Sequence, residues 1–251
     1  MVSVTAEQHV SVPLLRASWD ALTFVHWRVA PERVQALLPS GLEVDVHGGS
    51  AWVGLTPFVM GNMRPLGVPD LPGGLRVPGA RRLPRLADVS STPETNLRTY
   101  VRGPDGRDGL WFLTIDAGSA ALSAAIRAAV GAPYHGARMS VEHDERTVTY
   151  AGSRRRSHEA YRLQIEPAET ITPSDLDIWL TSRWRAYTHH LGRLLVTPVE
   201  HEPWPLRQAT LRSLEQNLTD SVGLPGLGEP ALVHYSDGVQ RVRLGRPAVV
   251  A

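Results

Sequence analysis

Between Glu94 and Arg102 every second residue is polar: a carboxylate, an amide, a guanidinium and a phenol at Glu94, Asn96, Arg98 and Tyr100, and then Arg102. On a strand this alternation gathers them on one face and leaves Thr95, Leu97, Thr99 and Val101 on the other. Such a face either looks at water or lines a pocket that uses those groups. The next segment, LWFLTID at 110–116, is apolar on both faces, as expected of a strand covered on both sides. A strand paired to it is hard to leave in water. A carboxylate and a guanidinium four residues apart on a strand lie roughly 13 Å apart along the chain. They cannot pair directly, so each needs another partner, and a bound carboxylate would supply one for Arg98.

Other chemistries find less support. The 251 residues contain no cysteine, which removes disulfides, thiolate metal sites and cysteine nucleophiles together. All 26 basic residues are arginine. Arginine stays protonated and is no amine nucleophile, so apart from the Met1 amino group there is no primary amine to form a Schiff base. The sequence has no G-x-S-x-G, no phosphate-binding G-x-x-x-x-G-K-[ST] and no H-E-x-x-H. His189 and His190 are adjacent and make a poor ligand pair, so no metal and no cofactor is expected. Arg154, Arg155 and Arg156 could meet phosphate or simply form a solvated hairpin end. A net charge of +1 gives no reason to expect nucleic acid as a partner. The N-terminal MVSVTAEQHVSV lacks the basic-then-apolar pattern of a signal peptide, and no apolar run is long enough to cross a bilayer. The expectation is a soluble, cytoplasmic protein without a membrane partner.

The elements that must position the polar face read mostly as hairpins with a few helices. ALTFVHWRV (21–29) predicts a strand and PERVQALLP (31–39) a short helix opened by proline. LEVDVHGGSAWVGLTPFVM (42–60) predicts a hairpin turning at Gly48-Gly49. TNLRTYV and LWFLTID form a second around GPDGRDG, and RMSVEH and RTVTYAG a third around Asp144-Glu145. SAALSAAIRAAVGAPY (119–134) reads as an alanine-rich helix stopped by Gly131 and Pro133, and AYRLQIEP as a further strand. A helix starting at Thr172 is expected to carry Leu176, Trp179, Leu180, Trp184, Tyr187 and Leu191 on one apolar stripe. RQATLRSLEQNL fits helix or strand, and VHYSDGVQRVRL (233–244) suggests a closing hairpin around Asp237-Gly238. Residues 63–93 carry six prolines and five arginines without any period, as in a mobile loop beside the site or plain disorder.

Several of these stretches, taken in order, resemble the YqjF-like proteins, a large bacterial family. They are FVHWRV, PERVQALLPSGLEVD, GSAWVGLTPFVM, PETNLRTYVRGPDGRDGLWFLTIDA, GAPYHGARM, YAGSRR, LDIWLTSRWRAY and VEHEPWPL, spanning about residues 19–237. By fold that family is grouped with the acetoacetate decarboxylase-like superfamily. The resemblance implies one mainly β (α+β) domain over 1–251: a curved antiparallel cone or barrel with a few flanking helices and a central cavity. Decarboxylases of that superfamily use a lysine Schiff base, which this sequence cannot form in the usual way.

What the resemblance leaves is the cavity. There Glu94 would serve as general acid or base, Arg98 would hold an anionic or carbonyl oxygen, and Tyr100 and Asn96 would donate to a developing oxyanion. His26 is either a further acid–base group or a satisfied core histidine. Trp111 and Tyr134 would supply apolar wall, and Arg127 would touch ligand or anchor the alanine-rich helix. The expected function is acid–base chemistry on a small carbonyl or carboxylate compound: isomerisation, dehydration, cyclisation or a lyase step. A non-catalytic binder of an acidic or carbonyl metabolite is the alternative, and a structural or partner-binding role the third. Homo-oligomerisation is possible by analogy with the decarboxylases. The run before PETN is longer here than is usual in the family and would either cover the cavity or be a surface insertion.

Overall fold

The computed structural model describes residues 2–65 and 91–250. Thirteen strands form one sheet: β1 (Leu15–Val29), β2 (Glu43–Val44), β3 (Ala51–Pro65), β4 (Thr92–Arg102), β5 (Asp108–Ala117), β6 (Tyr134–His143), β7 (Val148–Arg154), β8 (Ala160–Thr170), β9 (Arg185–His190), β10 (Arg193–Glu200), β11 (Leu206–Gln216), β12 (Leu232–Leu244) and β13 (Ala248–Val249). Four helices lie between them: α1 (Pro31–Gln35), α2 (Ala120–Val130), α3 (Asp175–Thr181) and α4 (Leu218–Ser221). The run β5-β6-β7-β8-β11-β12-β1-β3-β4 returns to β5 and closes a nine-strand barrel. Closure removes the exposed edges an open sheet would leave. The ring is mostly antiparallel, with β5 and β6 parallel.

The interior of that ring is filled by Val25, Trp27, Val53, Leu55, Leu97, Tyr150, Leu163, Ile165 and Tyr235, with Leu113, Val141 and Leu211 packed against them. All are apolar or aromatic, so this interior is a packed core. The strands are bent to make it. β1 changes register against β3 between Asp20 and Val25, next to Ala21 at φ 47°, as a bulge does at a barrel corner.

Four sequence expectations meet a different chain path. The helix expected from Thr172 is only α3, entered through a Ser174–Asp177 capping box. Arg183 follows it, buried and ion-paired to Asp45 and Asp108, and the chain goes on as β9 in register with β10. Leu191 is exposed rather than core; with Gly192 at φ 75° it makes the tight β9–β10 turn. The apolar spacing thus ran across a helix–strand junction and imitated one helix.

Residues 233–244 lie within one continuous strand, β12, not a hairpin. Gly238 has φ 126°, and a Cβ there would overlap the Trp19 carbonyl oxygen, so the glycine serves a close crossing of β1. The turn at Gly48-Gly49 is present between His47 and Ser50, yet the strand entering it, β2, pairs with β4 instead of β3. Residues 63–65 and 92–93 belong to β3 and β4, and residues 66–90 of the expected loop lie outside the described residues. The ambiguous RQATLRSLEQNL stretch is strand for most of its length, as β11.

Candidate functional site

β4 lies between β3 and β5, and its register decides which side chains meet. Glu94 stands opposite Phe58, Asn96 opposite Thr56 and Arg98 opposite Gly54. One strand further on, Gly54 faces His26 of β1; beyond it, Phe24 faces His234 of β12. Directly opposed residues share a face, so Phe24, His26, Thr56, Glu94, Asn96, Arg98, Tyr100 and His234 all point one way. The alternate residues Val25, Val53, Leu55, Leu97 and Val233 point into or pack on the barrel core. The polar face therefore turns away from that core, and does not line a central cavity inside the barrel as the resemblance implied. It is covered by α3 through Trp179 and Leu180, by Trp204 against Phe24, and by Tyr134 at the start of β6.

Glu94 is buried, and the Tyr134 hydroxyl donates to its Oε2 at 3.0 Å. Burial pushes the carboxyl up to about 8, only partly offset by that hydrogen bond. Glu94 is therefore mostly protonated at neutral pH.

Arg98 is unlike the other buried arginines. Arg154 pairs with Asp116 and Glu159, Arg183 with Asp45 and Asp108, and Arg185 with Glu7 and Asp108. Arg98, 7% exposed, has no carboxylate partner among the described residues; its guanidinium stacks 5.3 Å from the Phe24 ring, and Nε has no hydrogen-bond partner. Burial pulls its pKa down, opposed by the neighbouring Tyr100. An isolated buried charge is costly, and the usual remedy is a counter-charge.

Tyr100 donates to the Leu180 carbonyl at 2.7 Å and lies 2.8 Å from His26 Nε2. The contact is possible because position 54 is glycine: a Cβ there would stand 3.0–3.1 Å from the His26 ring. His234 Nε2 lies 3.2 Å from Asp177 Oδ1 of α3. Burial lowers the pKa of both histidines, and for His26 the positive Arg98 adds to it. Five buried polar atoms on this face have no hydrogen-bond partner among the described residues: Thr56 Oγ1, Asn96 Oδ1, Arg98 Nε, His26 Nδ1 and His234 Nδ1. Buried polar atoms are nearly always satisfied, so five on one face single it out as the candidate site. Among the described residues no cluster of His, Asp or Glu could hold a metal ion.

Of the residues singled out from sequence, the structure places Glu94, Asn96, Arg98, Tyr100, His26 and Tyr134 on or against this face. Tyr134, expected as apolar wall, is a hydrogen-bond donor to Glu94 instead. Two others lie elsewhere. Trp111 is opposite Thr99, hence on the other face of the sheet, and packs with Leu42, Val101 and Tyr187. Arg127 is on the exposed side of α2, in a separate cleft with His135 and Arg154–Arg156. Sequence reading missed His234, Asp177, Thr56 and Gly54. Period-two alternation in VHYSDGV puts His234 and Ser236 on one face against Val233 and Tyr235, a signal that the hairpin reading obscured. Asp177 was not singled out at all: the acid read with the expected cap at Thr172 was Asp175, whereas the structure caps the helix with Ser174 and Asp177.

Comparison with known proteins gives the fold and the family. An acetoacetate decarboxylase from Legionella pneumophila matches with a TM-score of 0.65 at 14% identity, over 97% of this chain and 90% of that one. The enduracididine biosynthesis enzyme MppR, complexed with pyruvate, matches with a TM-score of 0.66 at 14% identity, over 98% of this chain and 93% of that one. At such identities the likeness is one of fold: the protein has the acetoacetate decarboxylase-like architecture. In sequence, the uncharacterized protein YqjF of Bacillus subtilis (strain 168) is 31% identical over 239 residues, covering 92% of each chain. The profile of DUF2071, described as an uncharacterized conserved protein, matches residues 16–240. The chain belongs to the DUF2071 family and is a relative of YqjF.

Proposed function

We propose that this protein is a small-molecule enzyme that performs acid–base chemistry on a compound bearing a carboxylate. Arg98 holds the carboxylate, and Glu94 exchanges a proton with the reacting carbonyl or hydroxyl. The observation that carries this reading is the buried Arg98 guanidinium, which has no carboxylate partner among the described residues while Arg154, Arg183 and Arg185 each have one. A ligand carboxylate would complete the same pairing, bidentately if it lies in the guanidinium plane. That MppR, which shares the fold, is complexed with pyruvate supports a small carboxylate of this kind.

Glu94 suits proton transfer because its pKa of about 8 lies near neutrality, where it can give up a proton and take one back. With one oxygen receiving the Tyr134 hydrogen bond, the other is left to face a ligand. No lysine is present, so the route is direct proton transfer without a Schiff base: isomerisation, dehydration, cyclisation or a lyase step. If the protonated form is the active one, the rate falls as pH rises through about 8.

Thermal shift with small keto acids, enones and aromatic carboxylates, on wild type and Arg98→Ala in parallel, tests the binding half. A ligand at about 100 times its Kd adds roughly 2.7 kcal/mol, or about 5–11 °C for a chain of this size. That shift should vanish in Arg98→Ala; a shift that survives the substitution removes Arg98 from the site. For any compound that is turned over, Glu94→Gln should keep affinity and lose the reaction. Binding without turnover of any bound compound by the wild type would leave a binding protein.

A further inference from the structure

The hydrogen-bonding sense of the two histidines says more about the ligand than the charge of Arg98 does. Tyr100 has one hydroxyl proton, and it is given to the Leu180 carbonyl at 2.7 Å. Its oxygen can therefore only accept from His26 Nε2 at 2.8 Å, which fixes the His26 proton on Nε2. A neutral imidazole so held presents a bare lone pair at Nδ1, and that atom is buried without a partner. His234 repeats the arrangement: Nε2 faces the Asp177 carboxylate at 3.2 Å, and Nδ1 is again buried and unpartnered. Burial and the nearby Arg98 keep His26 neutral, and burial disfavours protonation of His234.

The two rings are diagonal neighbours. His26 stands opposite Leu232, two residues from His234 on the same strand, and each lies within electrostatic reach of the other. Diagonal side chains across an antiparallel pair start roughly 7–8 Å apart. Hydroxyls on neighbouring carbons, each giving a hydrogen bond of about 2.8 Å, can bridge that kind of gap.

We infer that the ligand is a carboxylate carrying hydrogen-bond donors beside the acid group, hydroxyl or amino, which it delivers to Nδ1 of His26 and Nδ1 of His234. The inference rests on the reading of Arg98 as the carboxylate holder. A plain keto acid brings only acceptors to this face. It satisfies Arg98 and leaves both imidazole lone pairs buried and unpaired, a loss worth about tenfold in affinity for each. A 2-hydroxy acid satisfies one and a 2,3-dihydroxy acid both.

Calorimetric titration of the full chain with propionate, pyruvate, lactate and glycerate tests this. Glycerate should bind tightest, lactate about tenfold more weakly, and pyruvate and propionate more weakly still, with all four lost in Arg98→Ala. His26→Gln keeps an amide donor for Tyr100 and removes the Nδ1 acceptor, so it should weaken glycerate about tenfold and leave propionate unchanged. His26→Asn puts an amide oxygen close to where Nδ1 stood and should restore part of the preference. His234→Gln makes the same removal at the other ring. If these variants do not fold, the ranking of the four acids on wild type still decides. Pyruvate or propionate binding as tightly as glycerate, while Arg98→Ala abolishes both, overturns the donor requirement and leaves Arg98 in its role. Binding by none of the four overturns the inferred small hydroxy acid and leaves Arg98 to the wider carboxylate screen, whereas equal binding by Arg98→Ala overturns both readings.

Discussion

The two faces of β4 are buried alike and satisfied differently. On one, Leu97 and Val101 are fully buried in apolar packing, Thr95 Oγ1 meets the Tyr161 hydroxyl at 2.5 Å, and Thr99 donates to the Trp52 carbonyl at 2.8 Å. Every side chain there has its partner. On the other, among the described residues, Glu94 has no cation and Arg98 no carboxylate, and Asn96 Oδ1 and Arg98 Nε have no hydrogen bond. Exposure alone would not separate the two faces, since all of these residues are classed as buried. What separates them is polar satisfaction, which a fold normally completes wherever stability is the only demand. A face left incomplete at this cost is where the proposed site lies.

The largest effect sharpening that contrast comes from adjacent residues. Leu97→Ala empties a packed site in the barrel core and should cost about 2–5 kcal/mol. Arg98→Met, one residue along, removes a buried charge that has no counter-charge; without ligand it should be neutral or stabilising, by about 1–2 kcal/mol. Chemical denaturation of the two variants gives both numbers. An Arg98→Met loss as large as that of Leu97→Ala would mean that Arg98 holds the fold together, and the distinction between the faces would collapse.

That distinction was partly legible in the chain. The Glu94-Asn96-Arg98-Tyr100 alternation could be read because a strand's period is local, and so could most hairpins, whose turns are set by a few residues. Whether the face met water or protein could not, because that depends on α3 and Trp204, more than 75 positions away in sequence. His234 comes to the site only through the β1–β12 pairing, and Gly238 looks like a hairpin turn until Trp19 is placed against it. The spacing of Trp179, Trp184 and Tyr187 misled for a related reason: Arg183 is drawn inward by Asp45 and Asp108, and neither acid is near it in sequence. Trp111 fell on the wrong face because the β4–β5 register shifts between Leu97 and Arg98, an irregularity without a sequence mark.

A second effect is a pH dependence that only the polar face should show. Glu94 titrates near 8 when folded against an ordinary value of 4.5. Between those values the unfolded chain has released the proton and the folded protein retains it, so stability falls as pH rises through the window and levels off above it. The change is on the order of a few kcal/mol. Glu94→Gln has no carboxyl to ionise, so the stability difference between variant and wild type should move in the variant's favour from pH 5 to pH 8.5. A difference that stays flat with pH would show that Glu94 is already ionised at neutral pH, and its role as proton donor would fail.

The smallest effect tests whether the polar face has room to spare. Gly152 lies under the Tyr161 ring, whose hydroxyl meets Thr95 on the apolar face of β4, and a Cβ at 152 would overlap that ring. Gly152→Ala should therefore cost about 1–3 kcal/mol, the usual penalty of overpacking a filled core. At Gly54 an added Cβ would stand 3.0 Å from His26 Cδ2 and 3.6 Å from the Tyr100 hydroxyl. The His26 ring must give way by a few tenths of an ångström, and several polar atoms around it have no hydrogen bond among the described residues to hold them in place. Replacing glycine within a strand also recovers roughly 0.5–1 kcal/mol of backbone entropy. Gly54→Ala should thus lose less than about 1 kcal/mol, while disturbing the His26–Tyr100 hydrogen bond and with it the orientation of Nδ1. Ligand preference should change more than stability does. If Gly54→Ala proved as costly as Gly152→Ala, the polar face would be as tightly filled as the barrel core, and a ligand would have no place there.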